Sequence, residues 1–259
     1  MINKQYAYIF GIRYCITDYM MATEEIIRKA LDTSASEGFA VSALAVHGLM
    51  EAYNDPALKE LINCIDMVVP DGQPVRWALN HFHDAGLKDR VYGPTLTLHV
   101  LDAAARHSIP VFFFGSTQQT LDLLQQKLPL RFPGLIIAGK QADRFREATA
   151  EEARDDAKRI MHSGARIVFV GRGCPRQERW VAQNRKHLPM PLLAVGAAFD
   201  FMAGNFSQAP AWMQRNGLEW LYRLMREPGR LWKRYLFTNT QFIWLFLLEK
   251  GRKAIKSYI

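Results

Sequence analysis

Cysteine is scarce in this chain: Cys15, Cys64 and Cys174 are three in 259 residues, with no metal-ligand spacing. A disulfide framework and a zinc site are therefore both unsupported. No Asp-x-Asp occurs, so the usual carboxylate clamp for a metal–nucleotide complex is missing. The seven histidines, His47 among them, include no H-E-x-x-H, and no G-x-S-x-G elbow is found. Low-complexity stretches are lacking too, and 12% aromatic content argues against disorder. The opening MINKQYAYIFGIRYC has no basic region followed by a sustained apolar run, so no secretory leader is expected and the cytoplasm is the expected compartment. The apolar run Phe242–Leu248 has seven residues, against roughly 20 for a bilayer span.

What is present is an uneven charge. The formal charge is +8, yet residues 207–259 hold ten Lys/Arg against three acids, leaving 23 against 22 in residues 1–206. Four of the six tryptophans (Trp212, Trp220, Trp232, Trp244) share that basic stretch. A near-neutral body with a basic, Trp-rich tail points to an anionic surface or ligand. The division expected is a core of residues 1–206 and a helical, membrane-associating appendage of residues 207–259.

The body alternates short apolar runs with helical patterns. Residues 39–46, 66–69, 110–114, 135–138, 166–170 and 192–195 read as buried strands. Helices are expected over 57–64, 73–82, 96–107, 118–128, 149–163 and 175–187, with Thr149 and Glu152 at capping-box spacing. Such alternation predicts an α/β, Rossmann-like fold: a mostly parallel sheet with helices on both faces. After a break expected at Ala209-Pro210, residues 212–225 read as one amphipathic helix, and a second starts at Arg230.

Ligands of an open parallel sheet bind beyond its strand carboxyl ends. Asp71, in Pro70-Asp-Gly-Gln-Pro74, is there either a general base or the cap of the following helix. Gly171 and Gly173, in VGRGCPRQE, either let backbone N–H groups approach a phosphate or make a tight turn. Asp200 either accepts hydrogen bonds from a base or ribose or closes a surface turn. Arg223, Arg226 and Arg230 would share a face on a continuous helix, which Pro228 puts in question. They are either a diphosphate clamp or a solvated basic face, and the interleaved Trp, Tyr and Leu suit a lipid interface. Asp155-Asp156 is expected to face water, and His81-Phe-His83 to be incidental.

In order, PDGQPVRWAL, RVYGPTL, FFFGS, GARIVFVGRGCPRQE, AVGAAFDFMAGNFSQAP and GLEWLYRLMREPGRLWKRYL resemble the WecG/TagA/CpsF glycosyltransferases over about residues 40–235. The resemblance implies a bacterial, inverting, metal-independent enzyme on the inner face of the plasma membrane. It would move a sugar (N-acetylmannosamine, its uronic acid, or glucose) from a UDP-sugar to a polyprenyl-diphosphate-linked acceptor. It implies Asp71 as base, Gln177 beside the donor sugar and Asp200 beside the uridine. Arg223 and Arg230 would complete the site, with Lys233 or Arg234 as a third cation. No cofactor is implied, the UDP-sugar being a substrate; nucleic acid is not an expected partner, and a homo-oligomer is left open. One departure is visible: Thr-x-Asn of many members falls on Ala43 and Ala45, with His47 as the nearby polar substitute. Two rival readings are a non-catalytic nucleotide-binding module at a membrane surface and, from the pI near 9.5, a nucleic-acid-binding protein.

Overall fold

The computed structural model describes residues 5–256, without the side chains of Arg230, Arg234 and residues 253–256. The chain opens with an antiparallel hairpin, β1 (Gln5–Ile9) and β2 (Ile12–Ile16), then α1 (Tyr19–Leu31). The main sheet begins with β3 (Phe39–Leu44), followed by α2 (Val46–Asn54), α3 (Pro56–Asn63), β4 (Met67–Pro70), α4 (Gln73–His83) and α5 (Gly93–Arg106). Next come β5 (Val111–Gly115), α6 (Gln118–Arg131), β6 (Ile137–Gln141), α7 (Ala150–His162), β7 (Ile167–Gly171), α8 (Arg176–Asn184) and β8 (Pro191–Ala194). The chain continues through α9 (Ala198–Ala203), α10 (Ala211–Arg215), α11 (Glu219–Arg226) and α12 (Pro228–Lys256).

All six main-sheet strands are parallel, in the order β4-β3-β8-β7-β5-β6. The near-uniform burial of β3, β4, β5, β7 and β8 explains their unbroken apolar runs, because helices cover both faces, while the edge strand β6 is only half-buried. Two apolar clusters follow, one on each face, centred on Phe112, Phe114 and Trp180 and on Phe113, Phe169 and Phe199. After β3 the chain moves outward to β4, and β5 resumes beyond β7. The carboxyl ends of β3 and β8 therefore flank the crevice where such sheets take ligands.

The expected strands and capping box are found, with shifted ends. The segment expected as strand 39–46 stops at Leu44, and Val46 already starts α2; β6 runs to Gln141 rather than ending at 138. The hydroxyl of Thr149 accepts from the Glu152 N–H, and the Glu152 carboxylate accepts in return from the Thr149 N–H. Asp155-Asp156 is corrected in part. Asp156 is buried, accepting from Gln141 Nε2 and from both terminal nitrogens of Arg144, because a loop residue twelve positions earlier folds over it. Residues 212–225 are two helices rather than one: α10 ends at Arg215 and α11 starts at Glu219. A side chain at Gly217 would meet Trp77 Cη2 at 2.7 Å, so this turn lies directly on α4.

Gly171 shows how packing sets one glycine. A Cβ there would stand 2.7 Å from Phe199 Cδ2, and Phe199 is fully buried edge-on to Phe113 at 5.5 Å. Gly171→Ala is expected to cost about 1–3 kcal/mol in chemical denaturation, since the ring has nowhere to retreat. Gly229→Ala, with nothing within 4 Å of its Cβ, should change stability by less than about 0.5 kcal/mol.

Candidate active site

Asp71 follows the last residue of β4, half-buried at the carboxyl rim. It does not cap α4: Gly72 occupies that position and no side chain caps the helix. Asp71 Oδ2 instead accepts from the N–H of Gly93, the first residue of α5, at 3.2 Å. Gly93 is the junction of the site. A Cβ there would meet Ala43 at the end of β3 (3.1 Å), Asp71 Oδ2 (3.3 Å) and the carbonyl of Val195 after β8 (3.4 Å). Three strand ends thus converge on one glycine, and a side chain there would have to press Ala43 and Asp71 back by a few tenths of an ångström.

Burial raises the Asp71 carboxyl from its ordinary range to about 7. Arg90 opposes that rise, Glu219 adds to it, and the Gly93 N–H and Arg223 pull it down. A carboxyl balanced near neutrality is suited to exchanging a proton at physiological pH. Tyr14 and Tyr19 lie in the same neighbourhood, and burial pushes both hydroxyls up, with the Asp71 charge adding to it.

The segment joining α4 to α5 is tied to the strand by the Val91 N–H, which donates to the Pro70 carbonyl. It carries Arg90, buried and ion-paired with Glu219 of α11 at 2.5 Å. Burial disfavours the Arg90 charge, but Glu219 and Asp71 outweigh it and raise its pKa. The Tyr92 hydroxyl is raised well above its usual range, by burial first and then by Glu219. Helix α11 also carries Arg223, whose guanidinium lies 6.0 Å from the Phe201 ring and acts on Asp71. The far end of the chain therefore reaches the Asp71 rim.

The other expected residues are arranged around this centre. Gln177 is buried: its Oε1 accepts from the Gly196 N–H at 3.0 Å, and its Nε2 donates to Glu178 at 2.9 Å. It fixes the turn after β8, next to the Val195 carbonyl that meets Gly93. Glu178 is fully buried, also accepting from Ser42 Oγ at 3.2 Å, and burial raises its pKa. Gly173 takes a left-handed backbone (φ 77°) in the turn into α8. Asp200, in the first turn of α9, accepts at Oδ1 from Asn205 Nδ2 at 3.1 Å, beside Thr120.

His47 opens α2 on the same side, its Nδ1 3.6 Å from Glu51 Oε1. Ala45, the residue before α2, would lie 3.9 Å from a Cβ at Gly72, so the two alanines line the space around Asp71-Gly72. Lys233 is exposed, with Nζ 5.5 Å from the Trp232 ring centroid. Arg226 donates to the hydroxyl of Tyr222, four residues before it. The helix breaks at Glu227, so α11 and α12 are separate helices and the continuity that Pro228 put in question is absent. The side chains of Arg230 and Arg234 lie outside the described residues. Among the described residues no three His, Cys, Asp or Glu side chains are grouped to hold a metal ion.

Sheet and rim together define an α/β protein whose cleft combines a near-neutral carboxyl group with arginines from two distant parts of the chain. The chain matches the model of the Glycosyl transferase WecG/TagA/CpsF family over residues 7–256, and it belongs to that family. It is 30% identical over 187 residues to an N-acetylglucosaminyldiphosphoundecaprenol N-acetyl-beta-D-mannosaminyltransferase of Bacillus spizizenii, covering 72% of this chain and 70% of the relative. A protein of the same name from Bacillus subtilis is 26% identical over 218 residues, covering 84% of this chain and 82% of the relative.

Arg90, Tyr92 and Glu219 had no role in the sequence reading. All three lie in stretches that carry the family resemblance, but their pairing joins positions 129 apart, which no local pattern reports.

Proposed function

We propose that this glycosyltransferase moves a hexose, N-acetylmannosamine being the first candidate, from a UDP-sugar to a polyprenyl-diphosphate-linked saccharide. Inversion of the anomeric carbon is part of the proposal. The observation that carries it is the half-buried Asp71 carboxyl, raised to about 7 at the sheet rim, with Arg223 of α11 near enough for its charge to act on it. The acceptor and sugar follow the printed activity of the two Bacillus relatives.

In this reading Asp71 takes the proton of the acceptor hydroxyl as its oxygen attacks the anomeric carbon. The bond from that carbon to the diphosphate oxygen breaks, and UDP leaves with the electron pair. Arg223 offsets charge growing on the leaving diphosphate, a task that a divalent ion performs in many nucleotide-sugar enzymes. Gln177 and Asp200 are assigned to the donor sugar and the uridine, and Gly171 and Gly173 to a turn that lets backbone approach the phosphates. The experiment is a UDP-sugar screen by thermal stabilisation, then transfer to a lipid-diphosphate N-acetylglucosamine with product stereochemistry read by NMR. One stabilising UDP-sugar and a product anomer opposite to the donor's are expected; a retained anomer would refute the inversion.

The same proposal places α12 on the membrane that holds the acceptor. One face of the helix packs inward through Leu231, Phe242 and Leu245, with Gln241 and Asn54 of α2 exchanging side-chain hydrogen bonds. The opposite face exposes Trp232, Leu236, Phe237, Ile243, Trp244 and Leu247. Among the described residues no helix is long and apolar enough to cross a membrane. An exposed apolar stripe flanked by Lys233, Lys250 and Arg252 suits the lipid interface of an anionic leaflet. Trp244→Glu with Leu247→Glu should lower co-sedimentation with anionic vesicles on the order of tenfold or more, at unchanged melting temperature. Undiminished vesicle binding by that variant would remove α12 as the anchor.

A further inference from the structure

Two buried charges at the rim have no part in the transfer step above. Arg90 donates to Glu219 Oε2 at 2.5 Å and to Gln214 Oε1 at 3.3 Å, and its guanidinium lies 4.2 Å over the Tyr92 ring. Tyr92 in turn hydrogen-bonds Glu219. One carboxylate of α11 is thus held by two side chains of the segment that supplies Gly93 to Asp71. A buried ion pair seldom stabilises a fold more than apolar packing of the same volume would, so its presence beside a reacting group calls for another reason.

We propose that Glu219 is a positioning residue: its ion pair with Arg90 latches α11 onto the rim of β4, setting Arg223 beside Asp71 while occupying the guanidinium that would otherwise clamp the Asp71 carboxylate. The inference rests on the reading of Asp71 as the base.

The charges facing Asp71 can be weighed one by one. Tyr14 from β2, Tyr19 from α1 and Tyr92 before α5 are all held neutral, their pKa values raised chiefly by burial. His47 of α2 is set beside Glu51. The charges that decide are Arg90 and Arg223, which favour the ionised carboxyl, and Glu219, which opposes them and acts more strongly than Arg223. An Arg90 without its partner would hold Asp71 ionised and make it a poor proton acceptor. With Glu219 in place the carboxyl keeps enough proton affinity to act as a base. Coupling of this kind is reciprocal. A proton that arrives on Asp71 from the acceptor removes the repulsion felt by Glu219, which tightens the seating of α11 as the diphosphate leaves.

The test follows the Asp71 carboxyl by ¹³C NMR titration of the full-length protein, with the resonance assigned by its loss in Asp71→Asn. Glu219→Gln should lower the Asp71 midpoint by about one pH unit, and Arg90→Gln should raise it by about as much. The acid limb of kcat/KM should move with each midpoint, and Glu219→Asp should restore most of the wild-type profile. A latch that merely holds the helix would give the same direction from both variants, because each breaks the same contact. Same-direction shifts, or no shift from Glu219→Gln, would overturn the inference. Should Arg90→Gln not fold, the Arg90→Gln/Glu219→Gln double variant serves instead, and its midpoint should lie above that of Glu219→Gln alone; a midpoint at or below it would also overturn the inference. Failure of the base reading shows separately, as wild-type turnover in Asp71→Asn.

Discussion

Asp71→Asn is expected to lower transfer by about 10²–10⁴-fold, the usual contribution of a positioned base. UDP-sugar affinity should change little, because the amide keeps the carboxyl's shape and can still accept from the Gly93 N–H. The variant should not lose stability. Asp71 titrates near 7 in the fold, above its ordinary value of 3.8, so the folded state holds a proton that the unfolded chain has released between those values. Stability contributed by that proton is complete below about 4 and is lost as pH rises through about 7. At pH 8 the wild type carries the full cost of a buried carboxylate and the Asn variant carries none. Its melting temperature there should equal or exceed that of the wild type. The same titration sets the rate: kcat/KM should fall about tenfold per unit below pH 7 and level off above it, and the acid limb should vanish in Asp71→Asn.

Arg223→Ala carries the second large effect. If its guanidinium offsets charge on the departing diphosphate, its loss should reduce kcat by about 10²–10³-fold. The melting temperature should move little, since Arg223 is only partly buried and its recorded neighbours are the Phe201 ring and the charge of Asp71. Arg223→Lys should recover part of the rate, since it keeps the charge and loses the planar fork. Equal kcat in wild type and Arg223→Ala would reduce the C-terminal helices to a surface element.

The parallel sheet was legible because strands buried on both faces have to be apolar without interruption, and Gly or Pro ends several of them. The N-terminal hairpin was not read: β1 is half solvent-exposed, so its composition does not stand out, and its turn depends on positive φ at Phe10 and Gly11. Helix α1 went unread with it. The split between α10 and α11 carried a local signal in Asn216-Gly217, which the continuous amphipathic pattern masked. Asp71 and Asp200 could be picked out because each follows a strand end; Gln177 entered only with the family resemblance. The roles of Arg90 and Glu219 could not, because a buried charge is recognisable only from its partner, and theirs is brought in by tertiary folding. That Asp71 is not the cap of α4 likewise needed three dimensions: the N–H that it accepts from is 22 positions away.

The most direct measurement is UDP release from UDP-N-acetylmannosamine in the presence of lipid-diphosphate N-acetylglucosamine, with and without EDTA, for wild type and Arg223→Ala. Wild-type turnover should be unaffected by the chelator, and the variant should stay slow whether or not Mg²⁺ is supplied. Wild-type activity abolished by EDTA and restored by Mg²⁺, with Arg223→Ala indistinguishable from wild type, would contradict the account.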